Sequence, residues 1–295
     1  MAPVVHDPGG TRPKAAPGGA HPRQKHRRKR RPRRGISLVR LMLVIALAVL
    51  VAAGFHAFLY QAFRVPSGSM KPTLLVGDSI LVSKLAYGGP FRGCILGWCP
   101  EAPPIGGLPE RGDVIVFRDT VHGGYAAKRI VGLPGDEVAM LGGRLYLDGQ
   151  AVEQRPGVMF HEVYEAQGQL GQRPLCANPD AGPGAYCLKP VQIETLPNGV
   201  TYDTLQIGAA AVDTTAPIVV SAGAYFVMGD NRDNSTDSRF DRAGGGYGSV
   251  LLADIVGRVE MILFSTAADD VMAPGTLRRS RLFLPISEAR LRRAQ

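Results

Sequence analysis

Beyond residue 63, the 295-residue sequence lacks any apolar run long enough to cross a membrane. The longest later candidates, Val259–Phe264 and Leu282–Ile286, have only the length of a strand. The sequence also lacks a helix-period segment of useful length after residue 64, and it has no internal repeat. These absences leave room for at most one membrane span, and they favour a globular part built from strands and turns.

Positive charge is scarce outside the N-terminus. Residues 1–40 contain 12 of the 34 Lys and Arg residues and one acid, so the remainder carries 22 basic against 24 acidic residues. The N-terminal arm is rich in Pro, Gly and Ala and ends in a basic run over residues 23–34. Such a composition cannot bury enough apolar surface to fold, so we predict a disordered arm over residues 1–36. The basic run could bind nucleic acid, but the segment after it favours a membrane-orientation signal in the cytoplasm, and we predict no nucleic-acid partner.

The segment after the arm is apolar. Leu41–Phe55 carries no charge, and the apolar character persists to Phe63. As a helix, Leu41–Phe63 would be about 35 Å long, enough to cross a hydrocarbon core of about 30 Å. We predict a single transmembrane anchor in the plasma membrane over residues 37–63, with the basic flank in the cytoplasm and the remainder exported. A cleaved signal peptide is the alternative.

The sequence has only four cysteines, all on the exported side of the predicted anchor: Cys94, Cys99, Cys176 and Cys187. They form no Cys-x-x-Cys motif and little histidine accompanies them, which makes a zinc site the less favoured alternative. In an oxidising compartment disulfides are the default. Three pairings are possible, of which Cys94–Cys99 and Cys176–Cys187 close the shortest loops.

Histidine is also scarce in the exported part. Four of the six histidines lie in the first 56 residues: His6, His21, His26 and His56. A Ser-His-Asp triad could use only His122 and His161, and neither lies in a recognisable triad motif. A triad is not excluded, but a lysine base fits the sequence better.

Six short segments of the exported part are rich in Val, Ile, Leu and Tyr and bounded by Gly, Pro or Asp: Ser79–Leu85, Asp113–Phe117, Lys128–Val131, Arg144–Leu147, Ala224–Met228 and Ile255–Phe264. We predict that they are strands. Asp148-Gly149 follows one of them and is a hairpin turn signal. We predict a catalytic core in two parts, 64–149 and 221–265. An inserted subdomain over 150–220 separates them, and a loosely packed tail over 266–295 follows.

Three polar segments are candidates for chemistry, and each is weak by itself. Pro66–Pro72 contains Ser-Gly-Ser between two prolines, which describes a tight turn presenting a hydroxyl. Lys128 opens an apolar strand, where a lysine usually lies at an edge; as a general base it would have to be buried enough to be neutral. Arg129 cannot deprotonate. Gly229–Arg239 is a polar run that resembles a calcium loop, but it lacks a Glu at the twelfth position, so a solvated loop is its ordinary interpretation.

Taken together, the apolar anchor, Pro66–Thr73, Arg111–Phe117, Lys128–Asp136 and Gly229–Arg239 resemble bacterial type I signal peptidases. The resemblance implies a mainly β fold: an antiparallel-sheet catalytic ectodomain with an inserted cap subdomain, preceded by a single transmembrane α-helix. It also implies a membrane-bound serine endopeptidase that cleaves the signal peptides of exported preproteins after small residues of the Ala-x-Ala type. The implied partners are preprotein signal peptides and membrane lipid, and no cofactor is implied.

The resemblance also assigns roles to residues. Ser69 is the implied nucleophile and Lys128 the implied general base. Ser67 would donate its hydroxyl to the oxyanion hole, beside the backbone amide of Ser69. Ser235 would hydrogen bond to the Lys128 amine and orient it. Asp237 and Arg239 would brace that loop as an ion pair. The alternatives are a self-cleaving Ser/Lys protease and a catalytically silent membrane-anchored scaffold.

Overall fold

The computed structural model describes residues 37–88, 106–267 and 276–288. They form one α-helix, α1 (Leu38–Phe58), and seventeen strands: β1 (Tyr60–Arg64), β2 (Asp78–Ser83), β3 (Val114–Arg118), β4 (Tyr125–Gly132), β5 (Glu137–Leu141), β6 (Arg144–Leu147), β7 (Gln150–Ala151), β8 (Glu153–Pro156), β9 (Phe160–Val163), β10 (Tyr186–Lys189), β11 (Val191–Thr195), β12 (Thr201–Leu205), β13 (Ile218–Val219), β14 (Ala224–Met228), β15 (Val250–Leu251), β16 (Ile255–Ser265) and β17 (Leu284–Pro285). Short 3₁₀ helices cover Leu85–Tyr87, Ala211–Asp213, Arg232–Asn234, Leu252–Asp254, Arg279–Arg281 and Ile286–Glu288. The predicted arm over residues 1–36 lies outside the described residues.

Helix α1 covers most of the apolar run. Ser37 caps its N-terminus, because the Ser37 hydroxyl accepts a hydrogen bond from the backbone N–H of Arg40 at 3.3 Å. The helix ends at Phe58, earlier than the predicted Phe63, because Tyr60–Arg64 pairs antiparallel with β2. Within the described residues, no helix combines the length and the hydropathy that a membrane span requires.

An eight-stranded antiparallel sheet forms the centre of the fold. Its order is β1-β2-β16-β3-β4-β14-β15, and β17 pairs with β16. The predicted mainly β, antiparallel class is therefore confirmed. The strands predicted over Arg144–Leu147 and Ala224–Met228 match the observed bounds at both ends. Those predicted over Ser79–Leu85, Asp113–Phe117 and Ile255–Phe264 match within two residues, and the one predicted over Lys128–Val131 begins three residues later than β4 does. Because β1, β3 and β4 lie in one sheet, segments far apart in sequence meet beside it.

Both faces of the central strands are buried. In β3, Val114 and Val116 belong to one apolar cluster, whereas Ile115 and Phe117 belong to another. Alternate residues of a strand point to opposite faces, so β3 lies between two cores. Met70 belongs to the first cluster and is 1% exposed, which fixes the loop between β1 and β2 against the sheet.

The chain leaves the main sheet after Gly132 and returns to it at Ala224. The intervening strands form three smaller sheets, β13-β5-β6-β7, β12-β11-β8 and β10-β9. This excursion begins before residue 150, because the hairpin of β5 and β6, predicted as part of the core, pairs with β13. Asp148 and Gly149 form the predicted turn, with φ of 50° and 71°. Leu47–Gln295 nevertheless forms a single compact unit.

The predicted disulfide between Cys176 and Cys187 is present. Cys187 is buried in β10, opposite Glu162 of β9. The proposed Cys94–Cys99 pair lies outside the described residues.

The prediction of a loosely packed tail was wrong for residues 276–288. Leu284 pairs with Ile262 in the main sheet and is 2% exposed. Arg281 is buried, and its Nε donates to Asp78 Oδ1 at 3.0 Å. This ion pair neutralises two charges that would otherwise be unpaired in the interior, so the segment packs instead of remaining solvated. Residues 268–275 and 289–295 lie outside the described residues.

Candidate active site

Ser69 and Lys128 meet beside β4, a strand that pairs with β3 and β14 in the main sheet. Ser69 lies in the loop between β1 and β2, and Lys128 lies in β4. The Lys128 Nζ donates a hydrogen bond to the Ser69 Oγ at 2.7 Å. Lys128 is 3% exposed, so it is buried and does not occupy the exposed edge position that is usual for a lysine in a strand. The structure therefore brings together the two residues that the sequence assigned as nucleophile and base.

The environment of Lys128 favours its neutral form. Burial lowers the pKa of Lys128 from 10.5 to about 8; the Asp237 carboxylate opposes this shift and the Arg239 guanidinium adds to it. About a tenth of the amine is then neutral at pH 7, compared with about three parts in ten thousand at the ordinary pKa. A buried amine of this kind can accept a proton from a serine hydroxyl near neutral pH.

The loop carrying Ser69 is held by the segment after β14. The Asn231 backbone N–H donates to the Ser69 carbonyl oxygen at 3.0 Å, and the Asn231 Nδ2 donates to the Gly68 carbonyl oxygen at 2.9 Å. The two segments approach so closely that a Cβ on Gly229 would lie 2.6 Å from the Ser69 carbonyl oxygen and 2.3 Å from the Ser235 Oγ. Only glycine fits at this position without displacing one of them.

Ser67 lies beside the nucleophile. Its Oγ is 3.4 Å from the Ser69 Oγ, and both residues are half-buried. Each has a hydroxyl on the cleft described below. A group bonded to Ser69 would therefore have the Ser67 hydroxyl as a neighbour that can donate a hydrogen bond.

Asp237 and Arg239 form the predicted ion pair, and both are buried. Arg239 Nε donates to Asp237 Oδ1 at 2.8 Å, and its Nη2 donates to Oδ2 at 2.9 Å, a bidentate geometry. Burial alone would raise the pKa of Asp237, but Arg239 and the Gly229 backbone N–H hold it below its ordinary value. Asp237 therefore stays ionised near the Lys128 amine.

The predicted contact of Ser235 differs. Among the described residues, the Ser235 Oγ donates to Asp237 Oδ2 at 2.8 Å and makes no hydrogen bond with Lys128. A buried carboxylate is a stronger acceptor than a lysine amine, which explains the preference. Ser235 thus reaches Lys128 only through the electrostatic effect of Asp237.

A second buried ion pair near the dyad was missed by sequence reasoning. Arg129 donates from Nε and Nη2 to the two oxygens of Asp230 at 2.8 and 2.7 Å, and Thr73 also donates to Asp230. The Arg129 guanidinium lies 4.2 Å from the ring centroid of Tyr202. Arg129 cannot act as a base, but it follows Lys128 in an apolar strand and could be expected to be buried. A buried arginine needs a carboxylate partner, so the sequence could have indicated this structural role.

A cleft of about 300 Å³ adjoins the dyad. One side is formed by residues 63–67 and 69–70, and the other by Tyr125–Lys128 of β4. Small side chains, Ala126 and Ala127, lie next to Lys128, and Phe63 and Tyr125 close the cleft with an edge-to-face ring contact at 5.1 Å. An extended chain could lie between these two segments with small side chains pointing inward.

Neither candidate histidine contributes to this site. The His122 side chain is 52% exposed and contacts Asp119 at 3.2 Å, whereas the His161 ring makes an edge-to-face contact with Tyr186 at 5.6 Å. Within the described part of the chain, neither is hydrogen bonded to Ser69, whereas the Lys128 amine is. The described residues also contain no group of three or more His, Cys, Asp or Glu side chains arranged to hold a metal ion.

The sequence of this chain is similar to those of known proteins. The family model for signal peptidase, peptidase S26, matches residues 38–264. Signal peptidase I of Rickettsia typhi is 31% identical over 232 residues, which cover 74% of this chain and 77% of that protein. Signal peptidase I of Pseudomonas aeruginosa is 40% identical over 187 residues, 63% of this chain, and the match spans only 56% of the length of that protein.

A solved structure of signal peptidase I from Enterococcus faecalis is 27% identical and covers 52% of this chain and 97% of its own, with a TM-score of 0.27. So low a TM-score does not establish a shared shape, and the family assignment depends on the sequence matches. The chain belongs to the signal peptidase family, peptidase S26.

Proposed function

We propose that this chain is a membrane-bound serine endopeptidase that cleaves signal peptides from exported preproteins after small residues, with Ser69 as nucleophile and Lys128 as general base. The observation that carries the proposal is the 2.7 Å hydrogen bond from the buried Lys128 amine to the Ser69 Oγ. Membership of the signal peptidase family supplies the substrate class.

The contacts of the dyad support an acyl-transfer mechanism. The neutral Lys128 amine removes the proton from Ser69 Oγ as this oxygen bonds to the scissile carbonyl carbon. The carbonyl π electrons move to oxygen, where the Ser69 backbone N–H and the Ser67 hydroxyl can donate hydrogen bonds. Each donor aligned with a developing oxyanion contributes about 3 kcal/mol. The C–N bond then breaks, and Lys128 returns the proton to the leaving amine.

In the second half of the reaction, water replaces Ser69 as the attacking group and Ser69 becomes the leaving group. Lys128, neutral again, removes a proton from a water that attacks the acyl carbon, and Ser69 leaves with that proton. The Asp237 carboxylate is ionised and buried near Lys128, so it lowers the free energy of forming the transient Lys128 ammonium. Arg239 limits this effect, so that the amine still releases its proton. The balance between the two charges suits a group that must act both as base and as acid.

The cleft supports selection of small side chains. Its walls include both apolar and polar side chains, and the small residues Ala126 and Ala127 precede Lys128 along β4. A substrate segment in extended form would hydrogen bond to this strand edge and place alternate side chains in the cleft. Alanine at the first and third positions before the scissile bond suits pockets of this size.

Membrane attachment by α1 is part of the proposal. The helix has 21 residues, and the large apolar side chains over Leu38–Val51 are exposed to between 44% and 74%. A basic arm precedes them, which favours a cytoplasmic N-terminus and an exported catalytic part. We expect the full chain to stay with membranes after alkaline carbonate extraction, and a Leu47→Arg/Leu50→Arg variant to be released. Release of the unmodified chain would refute this part of the proposal.

The function is tested with two matched preproteins, one with an Ala-x-Ala site and one with Phe at both alanine positions. The full chain in detergent should cut the first after the second alanine and leave the second intact; N-terminal sequencing of the product identifies the bond. Equal cleavage of both, or cleavage elsewhere, would contradict the proposed specificity. No cleavage of either by the folded protein would contradict the function itself.

A further inference from the structure

Lys71 connects the nucleophile loop to the inserted sheets. It lies two residues after Ser69 and is 3% exposed. Its Nζ donates to Glu162 Oε2 at 2.5 Å and to Gln167 Oε1 at 2.6 Å. Both partners are about ninety residues away along the chain, in the excursion that leaves the main sheet. The dyad chemistry described above makes no use of this lysine.

Glu162 is shared between two buried lysines. Lys189, which is fully buried, contacts Glu162 Oε1 at 2.6 Å, and Gln167 donates to Glu162 Oε2 at 2.8 Å. These four residues, Lys71, Glu162, Gln167 and Lys189, are called the Lys71 cluster below. It contains two ammonium groups and one carboxylate, and Arg278 faces it from the C-terminal segment. The cluster therefore has an excess of positive charge in the interior.

The position of Glu162 is fixed by the hairpin that carries it. Glu162 pairs with Cys187 across β9 and β10, and Cys187 is joined to Cys176. The ladder and the disulfide restrict where the carboxylate can lie. A rigid carboxylate that accepts from Lys71 restricts in turn the backbone that connects Lys71 to Ser69.

The charge balance makes stability a poor explanation for Lys71. Without the Lys71 ammonium, Glu162 and Lys189 would form a neutral one-to-one pair. Burial lowers the pKa of Lys71 to about 8, although Glu162 opposes that shift, so the site tolerates the charge rather than favouring it. What Lys71 provides that an apolar side chain would not is a directed link from the nucleophile loop to the hairpin.

We propose that Lys71 is a positioning residue for Ser69, holding the nucleophile at the Lys128 amine through its hydrogen bonds to Glu162 and Gln167. The proposal rests on the proposed peptidase function. The inserted hairpin is then part of the frame of the active site, even though it supplies no group that reacts.

The test compares Lys71→Met with Lys189→Met. Each change removes one ammonium from the same carboxylate and leaves a balanced pair, but only Lys71 is next to the nucleophile in sequence. Displacement of a reacting group by about 1 Å can cost about 100-fold in rate. We expect kcat to fall about 10- to 100-fold in Lys71→Met with KM within about 2-fold, and kcat of Lys189→Met to stay within about 2-fold of the unmodified protein.

Two further measurements separate positioning from general loss of structure. The pH at which kcat/KM rises should move little in Lys71→Met, because the charges with the largest effects on Lys128 are those of Asp237, Arg239, Asp230 and Asp119. A cavity of about 380 Å³ adjoins Lys71 and Glu162. Millimolar ethylamine can occupy this space in Lys71→Ala and donate to Glu162 and Gln167, but it should not restore kcat, because a free amine does not link the nucleophile loop to the hairpin; recovery of kcat would overturn the positioning role.

The outcomes are distinct. Near-normal kcat in folded Lys71→Met would overturn the inference, as would equal losses of kcat in Lys71→Met and Lys189→Met. If the unmodified protein cleaves no preprotein, the proposed function fails and not this inference alone. If the unmodified protein cleaves and Ser69→Ala does not, the function stands and the lysine comparison decides the role of Lys71.

Discussion

Activity is expected to rise with pH along a limb that reports the deprotonation of Lys128. The pKa of Lys128, which burial lowers to about 8, places the midpoint of the limb near pH 8. Below it, kcat/KM should fall about tenfold per pH unit, since only the neutral amine accepts the Ser69 proton. The shift from 10.5 to about 8 raises the neutral fraction at pH 7 by about 300-fold.

The neighbouring ion pair allows this assignment to be tested with opposite signs. Asp237→Asn removes the negative charge that favours the ammonium, so the pKa of Lys128 should fall and the limb should move to lower pH. Arg239→Met removes the positive charge that disfavours it, so the limb should move to higher pH. The double variant should lie between the two. Because each single change leaves a buried charge unpaired, the maximal kcat/KM of each variant should fall. The quantity to compare is therefore the pH at the midpoint of the limb.

The assay is kcat/KM for a preprotein between pH 5.5 and 9.5, at temperatures where circular dichroism shows each variant folded. His122→Asn is the control and should leave the midpoint nearly unchanged, since His122 is not hydrogen bonded to Ser69 or Lys128 and the variant retains Asp119, the carboxylate that His122 contacts and that acts on Lys128. Shifts of the same sign in the two single variants would refute the electrostatic reasoning. A midpoint near 6.5 that moves in His122→Asn would refute the lysine as base.

Two other changes test the packing around the site. Gly229→Ala puts a Cβ 2.6 Å from the Ser69 carbonyl oxygen, so kcat should fall at least tenfold and the free energy of unfolding by about 1–3 kcal/mol; an unaffected kcat would show that the loops can separate freely. Arg281→Met leaves Asp78 buried without its partner and should lower the free energy of unfolding in urea by about 3–5 kcal/mol. Exposed Arg279→Met should change it by less than about 0.5 kcal/mol, and equal losses would contradict the packed tail.

Local sequence predicted the strands of the main sheet well, because short β-branched segments bounded by Gly, Pro or Asp have few alternative structures. It could not predict the sheet to which a strand belongs. The segment Arg144–Leu147 was predicted correctly as a strand, but its sheet could not be predicted, because its pairing with Glu137–Leu141, and that segment's pairing with Ile218–Val219, depends on tertiary contacts. The helix predicted to Phe63 ended early for the same reason, since pairing with β2 outweighed hydropathy.

The candidate site shows the same limit at the level of side chains. Ser69 and Lys128 were identified by their motifs, but their separation of 59 positions in the sequence says nothing about their distance in space, which follows from the order of β1, β3 and β4 in one sheet. Ser235 was predicted to hydrogen bond to the Lys128 amine and instead donates to the Asp237 carboxylate. The choice between these two partners depends on local geometry, which the sequence does not give. Arg281 falls in the segment predicted as a loosely packed tail, and its partner Asp78 could not be identified from the sequence because it lies 203 residues away.

The central claim is that Ser69 and Lys128 act together as nucleophile and base, and cleavage of a preprotein with an Ala-x-Ala site tests it most directly. The unmodified chain, Ser69→Ala and Lys128→Ala are assayed side by side, with folding of each checked by circular dichroism. We predict that the unmodified chain cuts after the second alanine and that both variants lose activity by at least about 1,000-fold while remaining folded. Near-normal cleavage by either variant would show that the nucleophile or the base is a different residue.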